Sequence, residues 1–194
     1  MSDHEIPAPG PTLPEPVLTA TVPLEGADGT RAFGRALAGV LRAGDVLILT
    51  GDLGAGKTTF TQGLASGFGV ASGVVSPTFV LSRVHPAPAD APAGTPDLVH
   101  VDAYRLRSAG ELTDLDLDAS VDRSVTVVEW GAGLAEGLAD ERLEITLVAD
   151  PATEARTLTA TGVGARWAGV DVESHLQEAV GATTCTSADE GGVP

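Results

Sequence analysis

The stretch Gly51-Asp52-Leu53-Gly54-Ala55-Gly56-Lys57-Thr58 constrains this chain more than any other. It fits the phosphate-binding pattern G-x-x-x-x-G-K-[ST], and its surroundings fit as well. Val46 to Thr50 before it is an apolar, β-prone run, and Thr59 to Phe68 after it reads as a helix. Strand, glycine loop and helix in that order turn a string match into a mechanism. Gly51, Gly54, Ala55 and Gly56 let backbone N–H groups close around phosphate oxygens. The helix start at Thr58 and Thr59 adds partial positive charge where the phosphates sit. Lys57 is expected to reach the β and γ phosphates, and the Thr58 hydroxyl to bind Mg²⁺. Lys57 is also the only lysine; the rest of the eleven basic residues are arginines. A chain that otherwise avoids lysine has one where a compact point charge suits a phosphate.

Magnesium needs a second ligand, usually an acidic residue at the carboxyl end of a neighbouring buried strand. Two residues qualify. Val125-Thr126-Val127-Val128 leads to Glu129, and Leu98-Val99-His100-Val101 leads to Asp102. One carboxylate would hold the metal and the other would orient an attacking water; the pattern does not assign which. Ser76-Pro77-Thr78 follows the loop's helix and precedes a strand, so Thr78 is placed to approach a γ phosphate, as switch segments do. Trp130 adjoins Glu129, as packing residue or as contact surface. His100 reads as structural. Asp114, Asp116 and Asp118 imitate the start of a calcium loop, but Ala119 and Val125 stand where glycine and glutamate are required. No arginine is an obvious finger, so hydrolysis should be slow, on the order of 10⁻⁴ to 10⁻² per second.

The remainder of the chain supplies the scaffold. Residues 1–16 are proline-rich and read as a disordered lead-in. Val17 to Pro23 alternates as an edge strand does. Ala27 to Arg42 carries Phe33, Leu37, Val40 and Leu41 at helical spacing, with Asp28 or Thr30 as cap. Val46 to Thr50 lacks alternation, as a central strand covered on both faces should. Further strands are expected at Phe79–His85, Leu98–Asp102, Val125–Val128, Leu143–Val148 and Thr157–Thr161. Residues 86–96 form a Pro-rich loop, and 105–122 short helical pieces. Beyond about residue 165 an acidic tail is expected, with a weak helix over Val170–Val180 and then disorder. Helices alternating with strands around an internal phosphate loop imply an α/β chain with a three-layer P-loop NTPase fold. Consecutive late strands make its central sheet mixed.

Of 194 residues, none forms an apolar run that could cross a membrane, and the N-terminal Asp3 and Glu5 do not suit a secretory signal. One cysteine, Cys185, excludes an internal disulfide framework. A cytoplasmic protein is expected. The net charge of −16 repels nucleic acid across most of the surface, so any role in RNA metabolism should run through protein partners.

Four motifs in order, Gly51 to Thr59, Ser76-Pro77-Thr78-Phe79, His100-Val101-Asp102-Ala103-Tyr104-Arg105-Leu106 and Val128-Glu129-Trp130, resemble the TsaE family over about residues 17–162. TsaE proteins are small ATPases of bacterial tRNA threonylcarbamoyladenosine synthesis. The resemblance implies ATP and Mg²⁺ as ligands and TsaD and TsaB as partners. It implies a regulating or resetting role, with tRNA met only through those partners. By the same resemblance Thr58 and Glu129 hold Mg²⁺, Asp102 supports hydrolysis, Thr78 sits in the switch-like segment, and Trp130 and Arg156 approach the nucleotide. The Pro-rich loop, the lead-in and the tail depart from the family, as does Asp116 where glycine is frequent. A small-molecule kinase would need a basic lid, which loop 86–96 lacks. A GTPase would need an Asn/Thr-Lys-x-Asp element, absent from a chain with no asparagine and its one lysine in the loop. A nucleotide-sensing scaffold would differ only in turnover.

Overall fold

The computed structural model describes residues 15–70, 73–115, 117–153 and 155–172. One seven-stranded sheet forms the middle layer: β1 (Pro16–Glu25), β2 (Val46–Thr50), β3 (Ser82–His85), β4 (Asp97–Asp102), β5 (Ser124–Glu129), β6 (Arg142–Ala149) and β7 (Ala155–Val163). Their spatial order is β1-β7-β6-β2-β5-β4-β3. The four inner strands β6, β2, β5 and β4 run parallel, while β7 and β1 on one flank and β3 on the other are added antiparallel. The sheet is therefore mixed, as expected.

Period-two alternation divides the strand side chains between two apolar clusters. Leu47, Leu49, Val125, Val127 and Leu98 face α1 (Gly26–Leu37) and α2 (Lys57–Gly67). Ile48, Val99, Val101 and Val128 face the thinner layer built from α3 (Ala109–Thr113), Leu117 at the head of α4 (Asp118–Val121), and Ala135. β2 is covered on both sides, which is why its sequence does not alternate.

The two main helices pack backbone to backbone. A Cβ on Gly34 would fall on the carbonyl oxygen of Phe60, and one on Gly63 on the carbonyl oxygen of Arg31. Phe33 and Phe60 stack beside this contact with centroids 5.8 Å apart. The close approach fixes where α2 begins, and so where the glycine loop sits.

Several expected boundaries move. α1 stops at Leu37, because Gly39 and Val40 turn inward through tighter bonds to Ala36 and Leu37. Neither Asp28 nor Thr30 caps it: Asp28 pairs with Arg31 at 2.8 Å, and the Thr30 hydroxyl donates to the Gly26 carbonyl. β3 begins at Ser82 and not at Phe79, since Pro77 to Val80 forms a turn and Leu81 has φ +66°, which no strand accommodates. The packed body also runs past residue 165. Trp167 and Val172 are fully buried in the α1/α2 cluster, and Arg166 forms a bidentate pair with buried Asp45 at 2.9 and 2.8 Å. The expected lead-in and terminal helix fall on residues 1–14 and 173–194, outside those described apart from Glu15, Pro16 and Val170 to Val172.

Candidate functional site: a glycine loop flanked by two carboxylate clusters

The parallel strands β2, β5 and β4 all end on one side of the sheet, and the candidate site lies there, as the α/β rule expects. β2 runs into the loop. Gly51, Gly54 and Gly56 take φ of +145°, +83° and +110°, values that side chains resist. Gly51 is further required by contact, because a Cβ there would meet the Leu147 carbonyl. Gly56 is the N-cap of α2 and provides no side chain to satisfy the first amides, which stay available to an anion.

Lys57 is 5% exposed. Its Nζ donates to the carbonyls of Gly51 (2.6 Å) and Asp52 (3.0 Å), and lies 3.7 Å from the Trp130 ring centroid. Burial pushes its pKa below the usual 10.5, against the opposing pull of Glu129, then Asp102, then Asp52. A polyanion seated in the loop would supply the stabilisation that burial removes.

The two carboxylates end neighbouring strands in register, Asp102 opposite Glu129. Alternation turns His100, Asp102 and Glu129 to the α2 side of the sheet. Glu129 is 3% exposed and accepts the Thr58 hydroxyl at both oxygens, 2.9 and 3.1 Å. Its Oε1 also lies 2.7 Å from His100 Nε2. Asp102 has different partners. Its Oδ2 accepts the hydroxyls of Ser76 (2.7 Å) and Thr78 (2.6 Å), and its Oδ1 accepts the Tyr104 backbone N–H. Trp130 holds φ +61°, an unusual value for a bulky residue, and its ring stands 5.4 Å from that of Tyr104.

A cavity of about 600 Å³ joins these groups, with Gly54, Gly56, Lys57, Thr58 and Thr59 on one wall and Thr78, Asp102, Glu129 and Trp130 on the other. Gly51 and Ala55 line a second cleft behind the loop, against Thr146 to Ala149 of β6 and Pro151. Arg156 lies outside the main cavity, packed on Gly56: its Nε is 3.4 Å from where a Cβ would stand. Its Nε and Nη1 are buried without a hydrogen-bond partner. Ser76, Tyr104 and His100 belong to the site although the sequence argument assigned them no role there. Each lies within two residues of Thr78 or Asp102, and His100 shares the strand face of Asp102, which was the available signal.

The family model described as "Threonylcarbamoyl adenosine biosynthesis protein TsaE" matches residues 24–158. The chain belongs to the TsaE family. It is 54% identical over 146 residues to the tRNA threonylcarbamoyladenosine biosynthesis protein TsaE of Streptomyces coelicolor, covering 73% of this chain and 96% of that one. Against the Bacillus subtilis protein of the same name it is 40% identical over 139 residues, covering 71% and 82%. The crystal structure of Bacillus subtilis YdiB superposes with a TM-score of 0.63 at 31% identity, over 86% of this chain and 97% of that chain. The fold is thus the P-loop NTPase-like α/β fold, and the family is one of threonylcarbamoyladenosine biosynthesis in tRNA. Among the described residues no helix is long and apolar enough to cross a membrane.

Proposed function

We propose that this chain is a Mg²⁺-dependent ATP-binding protein with slow ATPase activity that acts with TsaD and TsaB in forming threonylcarbamoyladenosine in tRNA. It would regulate or reset that complex and leave group transfer to it. The observation that carries the reading is the hydrogen bond from Thr58 to Glu129, made beside a desolvated lysine at the mouth of a glycine loop.

The residues present suit the groups proposed. Open glycine amides and Lys57 together favour a polyphosphate, and Arg156, whose Nε and Nη1 have no hydrogen-bond partner, lies behind Gly56 close to the loop. Thr58 and Glu129 would hold Mg²⁺: hydroxyl and carboxylate oxygens are the hard donors this ion takes. Among the described residues no cluster of three or more His, Cys, Asp or Glu forms a separate metal cage. That agrees with an ion held by one or two side chains together with phosphate. The bound ion would neutralise charge that develops between the β and γ phosphates.

Within this arrangement Lys57 would leave the Gly51 and Asp52 carbonyls for phosphate oxygens. Asp102 would hold the attacking water and accept its proton, and Thr78, which now donates to Asp102, would turn toward the γ phosphate. Trp130 would cover the lysine and restrict water. Among the described residues no arginine lines the main cavity, and Arg105 is engaged over the Phe79 ring at 4.8 Å, which supports slow turnover. Loop 86–96 lies at the far end of α2, with Pro88 beside Gly69 and a cleft between the loop and Phe68, so it is no lid and the kinase alternative gains nothing from it. ATP is preferred to GTP because the guanine-reading element is missing. The acidity of the chain supports protein partners over direct contact with tRNA, and a cytoplasmic site of action follows from that role.

The test is calorimetric binding of ATP with and without Mg²⁺, followed by hydrolysis assays with and without TsaD and TsaB. Binding that depends on Lys57, with a low rate altered by the partners, is the expected result. Preference for GTP, or stoichiometric phosphorylation of a small acceptor, would overturn it.

A further inference from the structure

We infer that His100 is a positioning residue for the metal-binding end of the site: it locks the Glu129 carboxylate so that Oε1 stays anchored between His100 and Thr58 and Oε2 is presented toward the phosphates. This rests on the reading of Glu129 and Thr58 given above.

His100 is fully buried in β4, a central parallel strand, and is turned to the α2 face by alternation. In register it stands opposite Val127, one alternation step behind Glu129, so the imidazole reaches diagonally across the strand pair. The 2.7 Å contact from Nε2 ends on Oε1. That oxygen also accepts the nearer of the two Thr58 contacts, 2.9 Å, whereas Oε2 has Thr58 alone, at 3.1 Å. The carboxylate acts as acceptor toward Thr58 and toward His100, so Nε2 carries a proton and donates. Nδ1 is buried with no hydrogen-bond partner.

The consequence for metal binding is geometric. Oε1 is tied from two sides, to α2 through Thr58 and to β4 through His100. Oε2 is the oxygen left to meet a cation or a cation-bound water. Without the imidazole, the carboxylate keeps one flexible tether and can rotate about its last bond. Partners that orient a ligating group typically change metal affinity by about 10 to 100-fold. A histidine serving the core alone would leave metal binding untouched once the protein is folded.

The test compares wild type, His100→Leu and His100→Gln. Affinity for a non-hydrolysable ATP analogue is measured with Mg²⁺ and with EDTA, and thermal melting checks the fold. Expected are equal affinities in EDTA, a Mg²⁺-dependent gain about tenfold smaller in His100→Leu, and partial recovery in His100→Gln, whose amide N–H can stand near Nε2. A full Mg²⁺-dependent gain in His100→Leu would overturn the inference while leaving the ATP reading intact. No Mg²⁺-dependent gain in wild type would defeat the ATP reading itself. Should His100→Leu fail to fold, ¹⁵N spectra of histidine-labelled wild type decide. The Nε2–H tautomer, with a shift when Mg²⁺ joins the analogue complex and none when the analogue joins alone, is expected; an Nδ1–H tautomer or an unmoved signal sinks the inference.

Discussion

Glu129 and Asp102 end adjacent strands, in register, one residue type apart, and their surroundings could hardly differ more. Glu129 is bound to rigid elements: α2 through Thr58, and β4 through His100. Asp102 is bound to a turn: Ser76 and Thr78 bracket Pro77, and the segment returns through Leu81 in a strained left-handed conformation. The Leu81 carbonyl accepts the Asp102 backbone N–H at 2.9 Å, so the turn is fastened to this one residue by both side chain and main chain. A group held by helix and strand suits a fixed ligand. A group held by a loop suits a step in which something moves.

The contrast can be broken most forcefully at Glu129. Glu129→Ala should leave metal-free nucleotide binding largely intact and lower Mg²⁺-dependent hydrolysis by about 1000-fold. It should also cost about 2 kcal/mol in urea unfolding, because buried His100 loses its acceptor. Hydrolysis at the wild-type rate would remove Glu129 from the site. Asp102→Asn is expected to be gentler. The amide oxygen can still accept Ser76 and Thr78, but the amide nitrogen then faces the Tyr104 N–H, so stability should fall by about 1 kcal/mol while kcat falls about 100-fold. An equal loss of Mg²⁺ affinity in both variants would show that the two carboxylates do one job.

Thr78→Ala sharpens the comparison on the mobile side. It removes one of two hydroxyls that hold the turn and should reduce kcat about tenfold. Faster amide exchange confined to residues 76–81 should accompany it; exchange unchanged there would mean the turn is held by its backbone alone. The smallest effect is expected at His85, beside His100 with ring centroids 6.4 Å apart. Burial, then His100, then Arg83 lower its pKa from 6.5. The unfolded chain therefore binds this proton more readily than the folded one. The His85 contribution is complete above pH 6.5 and is lost as the pH falls from 6.5 through the lower folded value. His85→Gln should flatten the stability profile in that acidic window, as read by melting temperature between pH 5 and 7.

The rigid half of the site was legible in the sequence and the mobile half was less so. Lys57 and Thr58 stand at fixed offsets from β2, whose apolar run marks it as a strand, and Glu129 stands at the end of another apolar run, although the pattern alone did not separate its role from that of Asp102. Asp102 was legible as a strand end, but its bond to Ser76 comes from a turn that returns through Leu81 at positive φ, which no residue pattern marks. One polar residue in an apolar strand, His100, does not announce its diagonal neighbour. Trp167 and Val172 lie after the last strand, where no periodicity remains to mark them as buried.

That final stretch has a practical consequence. The family model's match ends at residue 158, yet the indole of Trp167 sits against Gly162, where even a methyl group would collide with it, and Arg166 reaches back to the turn before β2. A version trimmed at residue 158 would open a trench along β1, β7 and β6, on the flank of the sheet away from β4 and β5. Where this protein can be cut is set by its buried cluster, which runs on to Val172.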